Sequence, residues 1–242
     1  RARPVLIYVW YPADESAEAP RMVYGEYSFA SPADPSLFPL VSRLQEREVH
    51  STLYPFFDGQ RGSVIDLMNA GLSAVRDAKP LPGSFPLVVY SADLRGASGE
   101  NALLCEYLAS HGYVVATTHA LGAMLPDPAA NLDDLESLVR DKEFAIAELS
   151  GWPQCDGDKV ASAGRGFGAL AALVLAMRNT DVCAVVTLGE WTAGSDRAEL
   201  ISRCGAYRPE RLRASSLSFA VEEEAAEVLA AIEPFAHSTR FL

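Results

Sequence analysis

The sequence predicts an α/β protein with a mostly parallel central sheet and helices on both faces. Short apolar runs alternate with stretches of helical periodicity along most of the chain. Several of these runs are apolar without interruption, as at 86–90 and 183–186. Strands that are buried on both faces have this composition, and they occur in parallel sheets that helices cover.

The elements follow one another in strand–helix–strand order. Strands are predicted at 5–11, 86–92, 113–118, 159–163, 182–188, 217–221 and 238–242, and helices at 98–110, from 131 onward, at 167–177 and at about 222–232. Asn131 is the predicted N-cap of the second helix, because Asp133 and Asp134 place acids in the first turn, where the helix dipole favours them. The helix at 167–177 is apolar nearly all round and is therefore expected to be buried.

Residues 12–85 break this order. They are rich in proline and have helical patches near 37–49 and 63–75. We predict that they form an irregular and helical insertion or cover over the sheet, within a single domain of residues 1–242. Both ends of the chain are expected to be trimmed, because a strand opens almost at residue 1 and another begins at 238–242.

Composition and charge exclude some classes of partner. The chain has 20 lysine and arginine residues against 32 acidic ones, a net charge of −12, which repels nucleic acid and anionic membranes. No apolar run approaches the roughly 20 residues that span a bilayer. Cys105 and Cys183 are expected to be small buried hydrophobes, whereas Cys155 and Cys204 could pair. The sequence leaves the compartment and the oligomeric state open.

One segment carries a chemical motif. Residues 159–172, KVASAGRGFGALAA, predict a strand, a tight turn and a buried helix. A nucleophile elbow of the form G-x-S-x-G has this context. Gly164 and Gly168 stand at its flanking positions, but Gly166 stands where the nucleophilic serine is required.

The segment GRGFGA resembles the G-H-S-F-G-G elbow of platelet-activating-factor acetylhydrolases and dienelactone-hydrolase-like proteins, within the α/β-hydrolase superfamily. VWYPA at 9–13, GSFPLVVYS at 83–91, LASHGYVV at 108–115 and TLGEW at 187–191 resemble further segments of these proteins in the same order. The resemblance covers most of residues 5–191. It implies the α/β-hydrolase fold and, in an intact member, a serine esterase.

The same resemblance shows which catalytic groups are missing. Besides Gly166 at the nucleophile position, Gly189 stands where the family has its acid. The family histidine follows the last strand, in which this chain ends, and His237 precedes that strand. A serine lost in the laboratory would explain Gly166 alone, but neither Gly189 nor Ala92, which replaces the family's histidine in S-H-G. We therefore predict a catalytically inactive hydrolase homologue, with the active ester hydrolase as the alternative.

Glycine at the elbow has a physical explanation. The elbow backbone costs a residue with a side chain about 1–3 kcal/mol, whereas glycine adopts it freely. A site no longer used for catalysis would thus gain stability from serine-to-glycine replacement.

A binding crevice is expected at the carboxyl ends of the parallel strands. The candidate residues that line it are Asp93, Leu94, His119, Arg165, Phe167 and Glu190. The backbone N–H groups of Leu94 and Phe167 could keep the shape of an oxyanion hole and bind a carbonyl or carboxylate. His119 with Asp93 or Glu190 could form an acid–base pair for another reaction. We favour the simpler interpretation that they are polar loop residues around a crevice.

No cofactor or metal is expected. The chain lacks a phosphate-binding loop and a dinucleotide fingerprint, and its histidines have no metal-ligand spacing. Asp156-Gly-Asp158 predicts a turn before a strand, since it lacks the further oxygen ligands of a calcium loop. The expected partner is a small ester, lipid or carboxylate ligand, or a partner protein.

Overall fold

The structure is a computed structural model. It describes residues 4–14, 19–28, 32, 34–94, 96, 99–121, 129–189, 195–219 and 239–241, with side chains described for all of these except 51, 52, 195–198 and 239–241. The predicted helix at about 222–232, His237 and Glu190 lie outside the described residues.

The central sheet is mostly parallel, as predicted. Its strands are β1 (Ile7–Trp10), β4 (Phe85–Ser91), β5 (Val114–Thr118), β6 (Cys155–Arg165), β7 (Val182–Leu188), β8 (Ser215–Phe219) and β9 (Thr239–Phe241). Within the described residues they form a seven-stranded sheet in the order β1-β5-β4-β6-β7-β8-β9. β1 pairs with β5 antiparallel, and the other neighbouring pairs are parallel.

Helices cover both faces of this sheet. α5 (Ala102–Ser110) packs on one face, where Ala102, Cys105 and Ala109 contact a core that includes Val88 and Tyr90 of β4. α6 (Leu132–Ser150) and α7 (Phe167–Arg178) pack on the other face, around a larger core. Successive β4 residues thus face opposite cores, which is the alternation that a strand buried on both sides requires.

Two helix predictions are confirmed in detail. The Oδ1 atom of Asn131 accepts a hydrogen bond from the Asp134 amide at 2.9 Å, so Asn131 is the N-cap of α6. Every residue of α7 from Phe167 to Met177 is buried. α5 starts at Ala102, after Asn101, and the predicted start at Ser98 lies outside the described residues.

The described elements within residues 12–85 form a small layer of their own. It contains β2 (Arg21–Val23), α1 (Tyr24–Ser28), α2 (Phe38–Glu48), α3 (Tyr54–Phe56), α4 (Arg61–Met68) and β3 (Gly71–Val75), with a π-helical turn at Val49–Leu53 between α2 and α3. The helical prediction at 63–75 was wrong beyond Met68, because 71–75 pairs with β2 as a strand. This pairing joins segments about 50 residues apart, which local periodicity does not report.

Glu106 of α5 joins this layer to the sheet domain. Its carboxylate accepts hydrogen bonds from the Tyr27 hydroxyl at 2.6 Å and from the Ser73 amide at 2.7 Å. The Trp10 indole in turn donates to the Tyr27 hydroxyl at 3.1 Å. Glu106 is itself buried. That the segment 12–85 acts as a cover within one domain stays a prediction.

The cysteines correct two expectations. Cys155 and Cys204 are both buried and free, so the possible disulfide does not form. Cys105 is buried as expected, but Cys183 is exposed near the amino end of β7, where its thiol lies 3.3 Å from the Val160 carbonyl. None of the described helices combines the length and the apolar character needed to cross a bilayer.

Candidate functional site

The turn between β6 and α7 has the backbone geometry of an elbow. Gly166 stands at its apex with φ 55° and ψ −123°, a conformation that residues with a side chain rarely adopt. Two residues later, a Cβ on Gly168 would lie 2.3 Å from the carbonyl oxygen of Ser91, so only glycine lets α7 approach β4 this closely. The corner predicted from residues 159–172 is therefore present.

The Asp93 carboxylate occupies the space in front of this apex. Its Oδ1 atom accepts hydrogen bonds from the backbone N–H groups of Leu94 at 2.8 Å and Phe167 at 2.9 Å. These are the two N–H groups that were predicted to form an oxyanion hole. A Cβ on Gly166 would lie 2.5 Å from Asp93 Oδ1, so the carboxylate stands where a side chain of residue 166 would begin.

A second carboxylate, that of Glu100, bonds both Asp93 and Arg165. Glu100 accepts hydrogen bonds from Arg165 Nη1 at 3.0 Å and from the Asp93 amide at 3.2 Å. Burial raises the pKa of the Glu100 carboxyl, with the Asp93 charge adding to the effect, and Arg165 opposes it. Glu100 in turn raises the pKa of the Arg165 guanidinium through their hydrogen bond. Two carboxylates therefore face one cation at the elbow.

Gly189 lies beside the elbow, on the next strand. The Gly166 amide donates to the Leu188 carbonyl at 3.2 Å, which brings the end of β7 against the apex. Gly189 has φ 68°, and a Cβ there would meet none of the described residues within 4 Å. The predicted acid position is thus adjacent to the predicted nucleophile position.

His119 is a further candidate residue of the predicted crevice. It follows β5, is only 5% exposed, and its ring stacks on Tyr8 with the ring centroids 5.5 Å apart. Burial lowers the pKa of His119 to about 3, and the nearby positive charges of Arg47 and Lys142 add to the effect. The pairing of His119 with Asp93 or Glu190 as an acid–base pair stays a prediction, and Glu190 lies outside the described residues.

The sequence did not single out Glu48 and Glu100. Glu48 ends α2 and is 4% exposed, and one of its oxygens accepts a hydrogen bond from the Ser28 hydroxyl at 2.7 Å. Burial raises the pKa of Glu48 to about 7, and the Glu100 charge raises it further, against the effects of Ser28 and Arg47. Glu48 lies on the same face of α2 as the buried Val41 and Leu44, at helical spacing, and this local pattern distinguishes it from the exposed Glu46.

No group of three or more metal-ligating side chains occurs among the described residues. The Asp156 carboxylate instead pairs with Lys159 at 2.9 Å and accepts from the Asp158 amide at 3.2 Å. The predicted turn at 156–158 lies within a register shift of β6 against β4.

The strand order and the glycine-rich corner between β6 and the buried α7 define the class: the chain has the α/β-hydrolase fold. No family model and no curated protein sequence matches it. Among solved structures it is similar to a ferulic acid esterase from Streptomyces cinnamoneus, with a TM-score of 0.56 and 18% identity over 88% of this chain. This chain spans 65% of that esterase's length.

Two further structures are similar. One is DcsB, solved in complex with its substrate analogue, at a TM-score of 0.51 and 15% identity, covering 66% of this chain and 81% of that one. The other is described as a dienelactone hydrolase from Klebsiella pneumoniae, at a TM-score of 0.48 and 14% identity, covering 68% of this chain and 75% of that one. The predicted resemblance to α/β hydrolases is confirmed at the level of the fold.

Proposed function

We propose that this protein is a hydrolase-fold protein without serine-hydrolase activity, which uses the fold to bind a small ligand or a partner chain. The observation that carries the proposal is the Asp93 carboxylate at the elbow. Both N–H groups that could stabilise a tetrahedral oxyanion, those of Leu94 and Phe167, already donate to Asp93 Oδ1. A substrate carbonyl would have to displace a charged group that belongs to the same chain.

The positions of nearby serines also support the absence of a nucleophile. Ser91 ends β4 and Ser162 lies in β6, and they are 1% and 0% exposed. An acyl substrate has no access to hydroxyl groups at that depth. The alternative, an active carboxylic-ester hydrolase with a non-standard site, would need a nucleophile from elsewhere in the chain.

The proposal is tested with p-nitrophenyl acetate and a fluorophosphonate probe. We expect no turnover above the buffer rate and no covalent labelling of the purified protein. Labelling of a serine, located by peptide mass spectrometry, would overturn the proposal and favour the alternative hydrolase.

Restoring the elbow serine gives a second test. We expect Gly166→Ser to stay inactive for two reasons: the new side chain competes with Asp93, and Gly189 supplies no acid. The double variant Gly166→Ser with Asp93→Gly removes the competing carboxylate and is expected to stay inactive as well. Ester hydrolysis by the single variant would mean that an acid and a base are in place after all.

A further inference from the structure

A cleft lies between α6, α7 and the turn at 204–206, which follows α8 (Ser195–Arg203). It encloses about 230 Å³ and is open to solvent. None of the residues that line it belongs to the turn between β6 and α7 or to the loop that carries Asp93. The cleft is therefore a site separate from the elbow.

Aliphatic side chains form the walls of this cleft. They are Leu132 and Leu135 of α6, Val174 of α7, and Ala206. Leu135 and Val174 are each 1% exposed, so the cleft ends on the core beneath these helices. An apolar cavity of about 150 Å³ is large enough for a benzene molecule. At about 230 Å³, the cleft accommodates one six-membered ring with a short substituent.

The charged groups that line the cleft are acidic. Asp133 and Glu136 of α6 lie about one turn apart, and the described lining residues include no lysine, arginine or histidine. The Glu136 carboxylate already accepts hydrogen bonds from Arg140 at 2.6 Å and Arg178 at 2.7 Å. Asp133 is exposed, and no described residue bonds its carboxylate. A ligand that carries a positive charge therefore finds an acceptor here, whereas an anion is repelled.

The walls of the cleft are held in place by bonds within the chain. Arg178, which ends α7, pairs with Glu136 at 2.7 Å and with Glu143 at 2.6 Å and so ties α7 to α6. Asn131 caps the first turn of α6, which carries Asp133. A site that is formed before binding loses little conformational entropy when a ligand enters it.

We propose that this cleft binds a small amine composed of one apolar ring and a primary ammonium group. The ring occupies the space between the aliphatic walls, where its removal from water stabilises the complex. The ammonium group has three N–H donors and no acceptor, which matches the Asp133 carboxylate at the solvent-facing side of the cleft. The inference goes beyond the proposed function, because it assigns a ligand class to a site outside the elbow.

The test is isothermal titration calorimetry at neutral pH with benzylamine, benzyl alcohol and sodium benzoate. These probes share a ring and differ in charge. We expect benzylamine to bind in the millimolar range, as a ligand of few atoms does. Benzyl alcohol should bind several-fold more weakly, and benzoate should not bind below about 10 mM.

Three variants locate the site. Asp133→Asn removes the charge and should weaken benzylamine binding several-fold. Ala206→Phe fills the space between the walls and should abolish binding. Glu148→Gln removes an exposed carboxylate from α6 outside the cleft and should bind as the wild type does. Circular dichroism checks that each variant is folded.

Cys204 provides an independent measurement, because it lines the cleft, whereas the exposed Cys183 lies outside it. Methyl methanethiosulfonate modifies accessible thiols, and peptide mass spectrometry measures the rate at each cysteine. We expect both to react in the free protein. Saturating benzylamine should slow the modification of Cys204 several-fold and leave that of Cys183 unchanged.

Four results would each contradict the inference: no heat from benzylamine up to about 10 mM, benzoate binding as tightly as benzylamine, normal binding by a folded Asp133→Asn or Ala206→Phe variant, or no protection of Cys204. A Cys204 thiol that never reacts would contradict the open cleft itself. The esterase and fluorophosphonate assays concern the elbow alone, so either proposal can fail while the other stands.

Discussion

At the scale of single residues, the position of the Asp93 carboxylate depends on the glycine at position 166. The Asp93 carboxylate stays at the apex because two amides donate to it, and it fits there because residue 166 has no side chain. The positive φ of Gly166 favours glycine for a second, independent reason. Gly189 shares the positive φ, but no described residue lies within 4 Å of its Cβ position. Substitutions at the two glycines can therefore be compared: both would meet backbone strain, but only the one at Gly166 would also clash with the Asp93 carboxylate.

We expect Gly166→Ala to lower the free energy of unfolding by about 3–6 kcal/mol, because strain of about 1–3 kcal/mol adds to the loss of charge-assisted hydrogen bonds of about 1.5–3 kcal/mol. Gly189→Ala, which meets backbone strain but no described residue, should cost about 1–2 kcal/mol. Urea unfolding measures both. When Asp93→Ala is also present, the two substitutions should differ less in the unfolding free energy that they cost. If Gly166→Ala and Gly189→Ala cost the same in the wild-type protein, Asp93 has no steric role at the apex.

The burial of Glu48 predicts a pH-dependent stability. Its pKa in the folded state, about 7, lies above the ordinary value of 4.5, so the folded state holds the proton more tightly. The stability that the protonated Glu48 provides is complete below about pH 4.5 and is lost as the pH rises to about 7. The loss amounts to about 3 kcal/mol at 1.36 kcal/mol per pKa unit.

Glu48→Gln removes this titration. The unfolding free energy of the variant minus that of the wild type should therefore increase by about 3 kcal/mol between pH 4.5 and pH 7.5. Urea unfolding at several pH values measures the difference, and Glu46→Gln, at an exposed position of the same helix, serves as the control. A constant difference for Glu48→Gln would show that this carboxyl titrates normally.

Between elements, the contact of α5 with the layer formed by 12–85 depends on few polar groups. Glu106 bonds Tyr27 of α1 and Ser73 of β3 at once. Tight packing adds to this contact, since a Cβ on Gly99 would lie 2.8 Å from the Tyr27 Cβ. Gly99, which directly precedes Glu100, therefore packs on the layer that carries Glu48.

Glu106→Ala should cost about 3 kcal/mol, because the buried Tyr27 hydroxyl and the Ser73 amide both lose a charged acceptor. Hydrogen exchange followed by mass spectrometry should show the largest loss of protection in β2, α1 and β3, with β4 little affected. Glu148→Ala, at an exposed position on α6, is the control and should change neither stability nor exchange. A uniform loss of protection across the sheet would mean that the layer does not open separately.

At the scale of the whole molecule, the net charge of −12 opposes compaction. Raising the salt concentration from about 20 mM to 0.5 M shortens the Debye length to a few ångström and should raise the thermal midpoint at pH 8 by a few degrees. The same increase should have little effect at a pH where the net charge approaches zero. A midpoint that falls with salt at pH 8 would indicate that specific ion pairs outweigh the general repulsion.

The sequence by itself determined the sheet, the helices α6 and α7 and the elbow. Their patterns are local: continuous apolar runs, an Asn131 cap before two acids, and the glycine spacing at 164–168. By collinear resemblance it also predicts that Gly166 and Gly189 stand where a hydrolase has its nucleophile and acid, and this assignment stays a prediction.

Only the tertiary structure decided what fills the site. The bonds of Asp93 with Phe167 and of Glu100 with Arg165 join residues 74 and 65 positions apart, and the pairing of β2 with β3 is also long-range. The burial of His119 and Glu48 likewise depends on layers packed from distant segments. Hydrogen bonds and burial depend on which residues lie close together in space. The periodicity of the sequence indicates such proximity only within a single helix or strand, so it cannot predict contacts between distant segments.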